Sequence, residues 1–188
     1  MIRTFAVAAA VLLGACATSS APAPWQVTAA AAEGLTPQEV SSGFVIAVVE
    51  GCAAAAEAGK TLEQLGSDRI VRDTTVDPLR RPKPGAILWA PVIGQGIVSI
   101  EEVDGKCDVT AYGPPVEATF NAIVSALRGK GYVAQPMPPA GFKFFQHNFT
   151  MTANGRTVSV ALIGNEPGAA GMRSRFSIVS AFVSVTTP

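Results

Sequence analysis

Residues 97–112 read IVSIEEVDGKCDVTAY. Two alternating segments, Ile97 to Val103 and Lys106 to Tyr112, flank Asp104-Gly105, a dipeptide that supplies the positive φ angles of a type I′ hairpin turn. With those two residues as the loop, Val98 and Ile100 share a face with Cys107, Val109 and Ala111. Cys107 therefore faces the core. A strand at Ile87-Leu88-Trp89 precedes this hairpin. A second hairpin runs from Lys143 to Ala153, turns at Asn154-Gly155 and continues from Arg156 to Ile163. A last strand spans about Arg173 to Thr186, with Phe176, Ile178 and Phe182 pointing one way and Val179, Val183 and Val185 the other. Apolar residues on both faces mark a central or an interface strand.

Helical signals frame the strands. Thr36 caps a helix with Pro37 at its first position and Glu39 completing a capping box. Val40, Phe44, Val48 and Cys52 then recur at helical spacing, which places Cys52 on a buried stripe. Gly59 is the expected stop, and Thr61 to Gly66 reads as a further short turn of helix. Gly113-Pro114-Pro115 opens a second helix with Val116, Phe120, Ile123 and Leu127 on one face, ending at Gly129 or Gly131. Ser67 to Gly85 shows no periodicity, and Gln135 to Gly141 reads as a proline-rich loop. The order helix, hairpin, helix, hairpin, strand predicts an α+β fold: an antiparallel sheet of about five to six strands with two main helices packed on one face. Two helix-plus-hairpin units hint at duplication, but the spacing from helix to turn differs between them, so no repeat is claimed.

The N-terminus carries an address. One positive charge at Arg3, an apolar run from Phe5 to Leu13 and small residues at Gly14-Ala15-Cys16 form the three-part layout of a bacterial secretory signal. The run is far short of the ~20 residues that span a bilayer, and no later apolar run reaches that length. Leu13-Gly14-Ala15-Cys16 resembles the lipobox of bacterial lipoproteins. The resemblance covers the leader alone. It implies acylation of Cys16, cleavage before it and a domain hung from a membrane, with Ala17 favouring the outer membrane. The alternative is ordinary cleavage after Ala15-Cys16-Ala17, which releases a soluble periplasmic or secreted protein. TSSAPAP, residues 18–24, has the composition of a tether. The expected division is a signal peptide over 1–15, a lipidated cysteine and tether over 16–34, and a single globular domain over 35–188.

Either cleavage removes Cys16 from pairing and leaves Cys52 and Cys107. In an oxidising compartment an even pair, on a helix stripe and a strand face that can pack together, points to a Cys52–Cys107 disulfide. With 48% hydrophobic and 15% charged residues and a net charge of zero, the chain has neither the composition of a disordered tail nor the basic footprint of a nucleic-acid binder.

Signals of chemistry are sparse. His147 is the only histidine, and by alternation it shares an apolar face with Phe145, Phe149 and Met151, opposite Val158, Val160 and Leu162. Gly94-Gln95-Gly96 and residues 164–171 lack the endings that phosphate-binding loops require. No catalytic, cofactor or metal site is expected. Two weaker contact candidates remain: the basic connector with Arg80, Arg81 and Lys83, suited to an anion or a partner protein, and His147. The outward face of the second hairpin, with Gln146, Asn148, Thr150, Thr152, Thr157 and Ser159, could bind a polar ligand or a protein. The expected function is a membrane-tethered cell-envelope lipoprotein with a non-enzymatic binding or envelope-maintenance domain. Its partners would be the membrane, through the lipid, and another envelope protein or a polar envelope ligand, with no nucleic acid. The alternatives are a small periplasmic hydrolase using His147 and a secreted inhibitor-like module.

Overall fold

The structure is a computed structural model, and it describes residues 34–74, 82–137, 144–169 and 176–187. Helix α1, Pro37–Ala58, begins as the sequence dictates. The Thr36 side chain accepts from the Glu39 N–H, and the Glu39 carboxylate accepts from the Thr36 N–H at 2.7 Å. Its middle, Ile46–Ala53, is wound as a π-helix, and Gly59 closes it at φ 66°. This 22-residue helix is long and apolar enough to cross a membrane, but 72% of its apolar window is buried inside the domain, so its apolarity serves the core. A one-turn helix α2, Leu62–Leu65, follows, capped by a second box of Thr61 and Gln64.

The strands are β1 Ile70–Arg72, β2 Ile87–Pro91, β3 Val98–Val103 and β4 Lys106–Tyr112. Helix α3, Val116–Gly129, comes next. Then follow β5 Val133–Gln135, β6 Phe144–Ala153, β7 Arg156–Asn165 and β8 Ile178–Thr186. They form one eight-stranded sheet in the order β1-β2-β3-β4-β8-β7-β6-β5. Every pairing is antiparallel.

The α+β class, the two main helices and both hairpin turns agree with the sequence. Asp104 and Gly105 take φ 50° and 71°, and Asn154 and Gly155 take 52° and 71°, as a type I′ turn requires. The strand number is corrected from five or six to eight, because the three-residue strands β1 and β5 lie at the two edges. Three residues are too few to display alternation. Short edges also limit the backbone available for unwanted pairing.

The strand order explains the unequal helix-to-turn spacing. Each half is a helix followed by a four-strand meander running from sheet edge to centre, and the halves meet where β4 pairs β8. In that arrangement β3–β4 corresponds to β7–β8. Asp104-Gly105 joins β3 to β4, whereas Asn154-Gly155 joins β6 to β7, so the two turns are not equivalent positions.

Both main helices pack on one sheet face. Val40, Phe44 and Val48 from α1 and Val116, Phe120, Ile123 and Leu127 from α3 are buried in one cluster with Val98, Ile100, Val109, Val160, Leu162, Ala181 and Val183 of the sheet. A Cβ on Gly164 would press into Val116 and Phe120, so glycine permits the close approach of α3 to β7. Between the helices, Thr119 donates to the Pro115 carbonyl at 2.7 Å, which leaves its oxygen to accept from buried Ser41 at 2.9 Å. The disulfide Cys52–Cys107 ties the π-wound turn of α1 to β4, with Cα atoms 5.9 Å apart and both residues buried.

Register also puts a charge in the core. Glu102 lies opposite Cys107 on the helix-covered face and is 5% exposed. One carboxylate oxygen accepts from the Leu62 N–H at 2.9 Å and the other from Trp89 Nε1 at 3.0 Å. Glu102 thus holds the start of α2 and the Trp89 indole to the sheet.

At the far end of α1, Glu57 accepts from Lys130 Nζ at 2.9 Å and from the buried Tyr132 hydroxyl at 3.0 Å. Lys130 also reaches the Val49 carbonyl at 3.3 Å, and Asn154 Nδ2 donates to the Glu57 carbonyl at 3.1 Å. Burial, and then the Glu57 charge, push the Tyr132 phenol above its ordinary value of 10.0. Up to that pH both folded and unfolded chains keep the proton. As pH rises further, the unfolded chain releases it first, so stability falls. Urea midpoints measured from about pH 9 to 11 should decline, and Tyr132→Phe should flatten the decline. An unchanged slope in the variant would remove Tyr132 as its source.

Candidate functional site

The helices leave the other sheet face open: among the described residues no helix packs on it. Alternation assigns to it Ser99, Glu101, Asp108, Thr110 and Tyr112 from β3 and β4, and Ile178, Ser180, Phe182 and Ser184 from β8. From β7 and β6 come Ser159, Ala161, Ile163, Asn165, Gln146, Asn148 and Thr150. The polar residues predicted for the second hairpin's outward face lie here. The last strand, predicted as central or interfacial, is central: β8 sits between β4 and β7, with Val179 and Val183 buried under the helices.

Part of this face is built from small hydroxyl side chains, several of them held by hydrogen bonds within the sheet. Thr110 and Ser180 hydroxyls lie 3.4 Å apart, Ser99 reaches the Thr110 carbonyl at 3.4 Å, and Gln135 Nε2 donates to Thr150 at 2.7 Å. Two aromatic rings rise above that floor. Tyr112 is 38% exposed and Phe182 41% exposed, although both belong to central strands. Two side-chain oxygens on the same face, Asn148 Oδ1 and Asn165 Oδ1, are buried without a hydrogen-bond partner. Buried acceptors without partners are rare enough in folded proteins that each needs a reason.

The contact candidates fall in different places. Cys16, Arg80 and Arg81 lie outside the described residues. Lys83 pairs with Asp108 at 2.9 Å on the open face, so its charge is engaged within the fold. His147 stands on the opposite face, opposite Leu162 as expected, and is solvent-exposed there. Its ring lies 5.7 Å from Phe120 and 6.0 Å from Phe149. Lys83 and His147 therefore do not share a site. Among the described residues no group of three or more His, Cys, Asp or Glu side chains is placed to hold a metal ion.

A shallow pocket of about 210 Å³ is lined by Ile46, Asp68, Arg69, Val92 and Ile93. It is smaller than the ~300–1,000 Å³ typical of small-molecule sites. Arg69 is paired there with Glu50 at 2.5 Å. The loop with exposed Val92 and Ile93 is held against α1 because Gly43 has no side chain; a Cβ there would overlap the Ile93 carbonyl.

The sequence places Phe182 on a strand apolar on both sides, and the structure turns the Phe182 side outward. Tyr112 and Asn165 escape it, because only the β4–β8–β7 adjacency brings them together and Asn165 falls in a stretch that reads as loop. No family model, no curated protein and no solved structure matches this chain.

Proposed function

We propose that this chain is a cell-envelope lipoprotein, anchored by acylated Cys16 and facing the periplasm, whose domain binds a partner through its open sheet face. The observation that carries the binding role is the exposure of Tyr112 and Phe182 on strands at the centre of the sheet, on the face without helices. Exposed aromatic side chains are characteristic of recognition surfaces. Export is supported by the buried Cys52–Cys107 disulfide, a bond that persists in oxidising compartments. Anchoring is supported by the leader and by the energetics of acyl chains, each buried methylene contributing about 0.8 kcal/mol. Ala17, the residue after the acylated cysteine, favours the outer membrane.

Two measurements on the full chain in its own cells test this reading. Wild-type protein should pellet with membranes, whereas Cys16→Ser should leave them. A photo-reactive residue replacing Phe182 should give a discrete adduct, and one replacing Lys60, an exposed residue just past α1, should not. Equal labelling from both positions, or none from 182, would contradict use of the open face.

A further inference from the structure

We propose that the domain stands end-on against the membrane that anchors it, with the β2–β3 loop seated in the headgroup layer of a neutral phospholipid surface. The inference rests on the Cys16 anchor proposed above and adds a contact that the anchor does not make. Register fixes which end of the domain is meant. Phe144, Asn165, Ile178 and Tyr112 pair in one row across the sheet, and β3 begins beside that row, with Val98 opposite Ala111. Helix α1 starts at the same end. Gly43, near its beginning, lies against Ile93 and Gly94, whereas Cys52, further along, is bonded to Cys107 at the start of β4. The tether therefore enters the domain at the end that carries the β2–β3 loop. Residues 17–33 separate Cys16 from the first described residue. Fully extended, a segment of that length reaches about 60 Å, so the anchor alone does not decide which side of the domain meets lipid.

Exposed apolar side chains gather at this end. Residues 91–97, PVIGQGI, carry no charge. Val92 is 54% and Ile93 41% exposed, and Ile46 lines the shallow pocket beside them. Their exposure is built into the loop, because the Val92 N–H donates to the Arg69 carbonyl at 2.9 Å and the Val98 N–H to the Gly94 carbonyl at 2.8 Å. Met137, 41% exposed, stands just past β5 at the same end, since Gln135 lies opposite Asn148 and β6 begins at Phe144. The far end is built differently. Lys60, Asp104, Lys106 and Lys130 are exposed there, around Gly59 and the Asp104-Gly105 turn.

The chemistry of the loop selects lipid of one kind. Apolar side chains held in water gain free energy on entering the boundary between headgroups and acyl chains. Arg69, which lines the pocket beside the loop, is paired with Glu50, and the neighbouring Asp68 is acidic, so these groups add no net positive charge. The match is to a neutral surface rather than an anionic one. Because the acyl chains already hold the domain at that surface, the loop meets it at high effective concentration and a small apolar contact suffices.

The test uses acylated full-length protein reconstituted in phosphatidylcholine vesicles that contain a lipid with a nitroxide quencher near its headgroup. A thiol-reactive fluorophore is placed on Ile93→Cys, on Met137→Cys or, at the far end, on Lys60→Cys. Cys52 and Cys107 are held in the disulfide, and Cys16 is acylated, so each variant offers one reactive thiol. Quenching at 93 and at 137 should exceed that at 60 by about threefold or more. Adding Val92→Glu and Ile93→Glu to the Met137→Cys variant should reduce quenching at 137 by about twofold while leaving Tm unchanged, because both replaced side chains are exposed. Equal quenching at 60 and 93 would overturn the inference while leaving the anchor in place. So would vesicle-bound protein quenched at neither 93 nor 137, or quenching at 137 that the two glutamates do not change. Quenching that requires added anionic lipid would overturn it too, by making the contact electrostatic. Protein that does not float with the vesicles would remove the anchor and this inference with it.

Discussion

Replacing Cys52 and Cys107 together by alanine is expected to lower unfolding stability by about 4 kcal/mol, the value that chain entropy gives for a closed loop of this length. The bond spans 55 residues and joins two elements that are far apart in sequence, the first helix and the second strand of a central hairpin. Without it, the unfolded chain regains the freedom of that whole segment. For a domain of this size the loss corresponds to roughly 10 °C in Tm. Cys52 is 1% and Cys107 7% exposed, so reductant should reach the bond only after the domain opens. Thermal unfolding of the double variant beside the wild type measures the effect. Equal midpoints would mean that the packing of α1 on β4 is sufficient alone.

Glu102→Ala is expected to cost about 3 kcal/mol, from loss of two hydrogen bonds to a charged acceptor and the stranding of two buried donors. The stranded groups are the Leu62 N–H and Trp89 Nε1. Their loss should loosen the start of α2 and the indole together, so Trp89 fluorescence should shift before global unfolding. Glu102→Gln retains one carbonyl oxygen and satisfies one donor, so its cost should be about half. Urea unfolding of the two variants checks the order. If alanine costs no more than glutamine, the carboxylate does not act as a bridge.

Where local chemistry decides the structure, it was legible. The capping box at Thr36 and Glu39, the stop at Gly59, and the two turns with paired positive φ angles each follow from residues within a few positions of one another. The disulfide was legible because each cysteine's face follows from its own element's periodicity and the pair only had to meet. What escaped is set by pairing between distant segments. Strands β1 and β5 exist because β2 and β6 offer them an edge, and nothing in Ile70-Val71-Arg72 or Val133-Ala134-Gln135 alone announces it. Glu102 was missed for a related reason. It pairs with Cys107 on the inward face, where a charged residue is not expected from the sequence, and only the approach of α2 and Trp89 supplies the donors that make a buried carboxylate tolerable. The open face was half legible: its polar β6–β7 side is a hairpin, while its aromatic side depends on β8 crossing back beside β4.

The central claim is that the domain is exported and held at a membrane through Cys16, and the mass of the mature N-terminal peptide tests it most directly. Cleavage of the membrane-purified protein after Glu33 should release residues 16–33, beginning at Cys16 and heavier than the unmodified peptide by its acyl chains. A peptide that begins at an unmodified Thr18, or that retains Met1, would contradict it.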